Sequence, residues 1–138
     1  MNSMVIAFFI GIVILGVVFL ATINVAHRKK SGLNRAYYQK QWQAIESYKK
    51  NGGAGLQLAI FEADKLLDHA LKGRGFSGET MGERLKSARG AFMNNDAVWN
   101  AHKLRNRLAH EQQVSLNGVS VDGALRGFKA ALKDLGAL

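Results

Sequence analysis

Cysteine and proline are both absent from the 138 residues. Without cysteine the chain has no disulfide framework, no thiol nucleophile and no cysteine-ligated zinc, and a reduced, intracellular location fits. Without proline it has no proline-imposed turn. Acidic residues are scarce, with 10 Asp and Glu against 19 Lys and Arg, a formal net charge of +9. All 19 basic residues lie at or beyond Arg28, so the first 27 residues carry no charged side chain unless His27 is protonated. Such an excess favours anionic partners, namely RNA, DNA or lipid head groups, and says nothing of fold or chemistry. Sustained two-residue alternation is also missing apart from a few residues at Val114 to Val121, too short to build a sheet.

A long hydrophobic run is present. Met4 to Ile23 contains no ionisable residue, and about twenty residues at 1.5 Å each match a hydrocarbon layer of about 30 Å. A buried core helix would show a polar stripe, and a cleavable signal peptide would show an N-terminal cation, a shorter apolar run and a small-x-small site. The run therefore predicts a transmembrane anchor over 1–27. Arg28, Lys29 and Lys30 follow it directly. By the positive-inside bias they predict a single-pass membrane protein, N-terminus outside and C-terminal domain in the cytoplasm, with the lipid bilayer as a partner. Residues 28–33 read as a basic juxtamembrane linker and 34–138 as one domain.

Within 34–138 the apolar spacing is helical throughout. Tyr38, Trp42 and Ile45 share one face of a helix that stops at Asn51-Gly52-Gly53. Leu56, Ile60, Ala63, Leu67 and Ala70 define a second helix. Thr80 and Glu83 have capping-box spacing ahead of Met81, Leu85, Ala88 and Phe92. Asn94, Asn95 and Asp96 are N-cap candidates for a fourth helix from about Ala97 to His110. Asn117-Gly118 marks a turn, and Val121, Leu125, Phe128, Leu132 and Leu135 align on a last helix. The expected fold class is all-α: a transmembrane helix followed by a compact bundle of about five helices.

Few constellations carry chemistry. Gly73 to Gly78 matches G-x-G-x-x-G, but a helix precedes it where dinucleotide binding needs a strand, so it reads as a helix connection with Arg74 free to meet an anion. Asp64, Asp68 and His69 cluster on the second helix without the second acid–histidine pair of a bundle-core metal site. His102 and His110 lie about 12 Å apart along one helix, too far to share an ion. No metal and no cofactor are expected. On the fourth helix Ala97, Ala101, Leu104 and Leu108 form the expected core stripe, leaving Trp99, Lys103, Asn106 and His110 on a polar, basic and aromatic face. A histidine beside an asparagine and Lys103, Arg105 and Arg107 has what metal-free phosphodiester cleavage needs, a proton-exchanging group and cations for the developing charge. A solvated helix end, its histidine favoured by the helix dipole, is the competing account.

Leu104-Arg105-Asn106-Arg107-Leu108-Ala109-His110-Glu111 resembles the signature of the HEPN superfamily, small helical bundles marked by Arg, a polar residue that is often Asn, and a His a few residues on. The motif spans six residues, and its place on the penultimate helix extends the resemblance to most of 34–138. The resemblance implies a homodimer with the two motifs at the interface and, in active members, metal-independent endoribonuclease activity. His110 would then transfer the proton, Arg105 contact the phosphate and Asn106 orient them, with Lys103, Arg107 and Arg74 as further RNA or anion contacts. Many members pair with an antitoxin or nucleotidyltransferase, so an antitoxin or regulatory protein is a further expected partner. Others are non-catalytic, so a HEPN-like module for dimerisation or for RNA or protein binding is the alternative.

Overall fold

The computed structural model describes residues 3–28, 32–111, 116 and 118–138. The chain divides into two compact units, Met1–Ser31 and Gly32–Leu138.

The first unit is one helix, α1, Ser3–Arg28. Its described side chains from Phe8 to Phe19 are exposed and apolar. The expectation of a transmembrane anchor is corrected here: among the described residues no helix is long and apolar enough to cross a membrane. With the span go the single-pass membrane localisation and the outside N-terminus. Nothing is described of the Arg28 side chain, and Lys29 and Lys30 lie outside the described residues, as does much of the alternating stretch from Val114.

The second unit is a bundle of α2 (Arg35–Tyr48), α3 (Gly52–Gly73), the short α4 (Met81–Ser87), α5 (Asn95–His110) and α6 (Gly118–Asp134). Helix α2 starts where the Asn34 side chain accepts the Tyr37 N–H at 3.1 Å, one of the donors a helix start leaves unpaired. It buries Tyr38, Trp42 and Ile45. A 3-10 turn at Lys49–Asn51 and Gly52 at φ 69° reverse the chain. The glycines after Asn51 do not form a free linker: Gly53 to Gly55 belong to α3. A Cβ on Gly55 would run into the Tyr48 carbonyl, so the ends of α2 and α3 approach to a separation only glycine permits.

Helix α4 opens with the full capping box of Thr80 and Glu83. Its expected stripe is split, because α4 ends at Ser87 and a 3-10 turn at Arg89–Ala91 carries the chain past buried Ala88 to buried Phe92. Asn94 caps α5 by accepting the Ala97 N–H at 3.0 Å. Helix α6 packs on α5 so closely that a Cβ on Gly127 would lie 2.6 Å from the Ala97 carbonyl oxygen. All five expected α6 residues, Val121, Leu125, Phe128, Leu132 and Leu135, are buried, and with Ile60, Leu67, Leu71, Leu85 and Val98 they form one core.

Candidate functional site

The glycine-rich connection and its sequel bring α4 over α3. Gly78 sits at φ 142°, and a Cβ there would meet the Arg84 backbone nitrogen at 2.7 Å. Arg84, only 6% exposed, donates from Nε to Asp68 Oδ1 at 2.6 Å and from Nη1 to the Gly78 carbonyl at 2.6 Å. Asp68 also pairs with Lys72 at 2.7 Å. Burial pushes the Asp68 carboxyl upward, but the hydrogen bonds and charges of Arg84 and Lys72 outweigh it and hold the group below the usual carboxylate range. Glu83 is held low as well, by the Glu79 and then the Thr80 backbone N–H.

Between α3, α4 and α5 lies a cleft of about 840 Å³. Its α5 wall carries a directed chain of hydrogen bonds. Arg105 Nη1 donates to Asn106 Oδ1 at 3.2 Å. Arginine has only donors, so this contact fixes the amide oxygen toward Arg105 and turns the Asn106 NH₂ toward His102 Nε2, 3.1 Å away. The imidazole must therefore present its Nε2 lone pair and carry its proton on Nδ1, which donates to Asp64 Oδ1 at 2.7 Å. His102 and Asp64 are 7% and 5% exposed. The chain ties α5 to α3 at a point where neither ring nor carboxylate meets bulk water.

Arg105 Nε approaches Asp64 Oδ2 at 3.4 Å, close enough for charge attraction yet misaligned, so this buried donor has no hydrogen-bond partner. The guanidinium also lies over the Phe61 ring at 5.3 Å, a weakly hydrated cation against a π face. Trp99 is partly buried and edge-on to His102, centroids 6.0 Å apart. It does not form the exposed aromatic face the sequence suggested.

Helix α5 runs regularly to His110, where the Glu111 N–H closes it on the Arg107 carbonyl. Five helical residues separate Arg105 from His110 by about 140° and about 7.5 Å along the axis. His110 is exposed, outside the cleft, and without a hydrogen bond or ion pair among the described residues. Arg105 and Asn106 thus stand together, whereas His110 stands apart. Lys103 lines the cleft, Arg107 pairs with Glu111 at 3.4 Å, and Arg74 is an exposed residue just beyond α3.

The buried stripe of α5 is Val98, Ala101 and His102, rotated from the expected one. Asp64, His102 and Arg84 are the residues the sequence reading left without a role. Helical spacing from Val98 to His102 was the available signal, since i and i+4 share a face. The Asp64, Asp68 and His69 cluster is dispersed, Asp64 to His102, Asp68 to Arg84 and His69 to the Tyr38 hydroxyl at 2.8 Å. Among the described residues no group of three or more His, Asp or Glu could hold a metal ion.

Most carboxylates of the cleft are consumed internally: Asp64 and Asp68 as above, Glu83 in its capping box, Glu62 beside Lys65 at 3.7 Å. Among the described residues Glu79 has no ion pair, and neither have the cations Lys86 and Lys103. Comparison of the chain with protein-family models, with curated proteins and with solved structures finds no match.

Proposed function

We propose that 34–138 is a HEPN-like helical module that binds single-stranded RNA along the α3–α4–α5 cleft, with Arg105 and Asn106 acting as the clamp that shapes its wall. One observation carries this reading. The motif's arginine and asparagine are committed to Asp64 and His102, while Lys86 and Lys103 line the cleft and, among the described residues, form no ion pair. The net charge of +9 supports an anionic partner, and the α5 position of the motif in an all-helical bundle supports the HEPN resemblance. Phosphate-facing lysines give sequence-independent, salt-sensitive attraction. In an anisotropy titration of the full chain with labelled oligouridylate, Lys86→Glu with Lys103→Glu should weaken binding on the order of tenfold or more. Binding equal to wild type would remove the cleft from the account.

A second reading, a metal-independent endoribonuclease, is favoured by the exposed His110 at the end of α5. In it a homodimer places His110 of one copy near Arg105 of the other, and an antitoxin or regulatory protein restrains the activity. It requires EDTA-insensitive cleavage with 2′,3′-cyclic phosphate ends, and a loss on the order of 10²-fold or more in His110→Ala. Uncut RNA, or equal cutting by both proteins, leaves the binding module as the account.

A further inference from the structure

A second depression lies between α2 and α3, its α2 side largely aromatic and apolar. Its volume is about 340 Å³. Tyr37 and Tyr48 stand at its two ends, on the same side of α2 and about 16 Å apart along the axis. Ile45 and Leu66, both buried, form its floor. Tyr37 is 42% exposed, yet its ring is braced edge-on by Tyr38, centroids 5.3 Å apart, and by His69 at 5.6 Å. The Tyr38 hydroxyl hydrogen-bonds His69 Nδ1 at 2.8 Å, which fixes the brace. Lys65 and Lys72 project from the α3 wall, their side chains 77% and 57% exposed; Lys72 is held by Asp68 at 2.7 Å, whereas Lys65 lies only loosely beside Glu62, at 3.7 Å, and can turn to a phosphate.

A half-exposed tyrosine held from behind, an apolar floor and cations on one wall form a place to stack a base and hold its phosphate. The volume is too small for a docked helix, and the groove adjoins the RNA cleft across the α3 ridge, whose Glu62, Lys65 and Asp68 line both. We infer that this groove takes an unpaired nucleotide of the strand that crosses the cleft, its base stacked on Tyr37 and its phosphate held by Lys65. The inference rests on the RNA-binding reading and adds to it a second contact point and a preference for single strands, because a paired base cannot leave its stack to enter.

The test titrates the full chain with labelled oligouridylate and with an RNA duplex. Tyr37→Ala should weaken single-strand binding about tenfold, the usual effect of losing one stacked base, and Tyr37→Trp should preserve it. The exposed Lys65→Glu should weaken it as well, and it decides the matter if circular dichroism shows Tyr37→Ala to be misfolded. Oligouridylate carrying 4-thiouridine should crosslink to α2. If Tyr37→Ala and Lys65→Glu both bind as wild type while Lys86→Glu with Lys103→Glu binds weakly, the groove is not a nucleotide site and the cleft reading stands. Absence of binding by the wild-type chain removes both.

Discussion

Asp64→Ala should cost about 3–5 kcal/mol of folding stability, the range for breaking a buried pair from one side. The side chain is 5% exposed and accepts from His102 Nδ1 while facing the Arg105 guanidinium. Its loss leaves a buried imidazole proton unpaired and a cation without its counter-charge, and the Asn106 and Arg105 orientations lose their anchor. Asp64→Asn retains an oxygen for the His102 proton but not the counter-charge to Arg105, so it should cost less than Asp64→Ala, about 2 kcal/mol, the range for a hydrogen bond to a charged group. His110→Ala, at an exposed position, should stay within about 0.5 kcal/mol of wild type. Denaturant unfolding measures all three. An Asp64→Ala protein as stable as His110→Ala would mean that the polar chain does not fasten α5 to α3.

Removal of Asp68 should be comparably severe, because Arg84 is 6% exposed and would keep only the Gly78 carbonyl. Asp68→Ala is expected to lose about 3 kcal/mol, and adding Arg84→Met should return part of it by removing the stranded charge. The same pair sets an acid dependence. The folded pKa of Asp68 is depressed, so its contribution is complete above the ordinary carboxylate range. It is lost as pH falls below that range through the lowered value. Wild-type stability should therefore fall more steeply on acidification than that of the double variant, and parallel pH curves would show that the pair contributes nothing.

Elements whose pattern is local were legible in the sequence. The stripes of α2 and α6 are apolar residues at helical period, and Tyr38, Trp42, Ile45 and the five α6 residues are buried as spaced. The capping box at Thr80 and Glu83 needs only contacts three residues apart. Features that depend on distant partners were not legible. The start of α3 at Gly52 requires the Tyr48 carbonyl to approach Gly55. The burial of His102 requires a carboxylate 38 residues earlier in the chain. Arg105, read as a free phosphate contact, is engaged by Asp64 for the same reason. The apolar run of α1 invited a membrane reading from composition, whereas the described helix is not long and apolar enough to cross a bilayer.

The most direct measurement of the central claim is the salt dependence of single-stranded RNA binding by the full chain. With Lys65, Lys86 and Lys103 each neutralising a phosphate, the logarithm of the association constant should fall against the logarithm of salt concentration with a slope of about −2. The slope should become shallower by about 0.7 for each of these lysines changed to alanine. A chain that fails to bind at low salt, or binds with a slope near zero, would contradict the account.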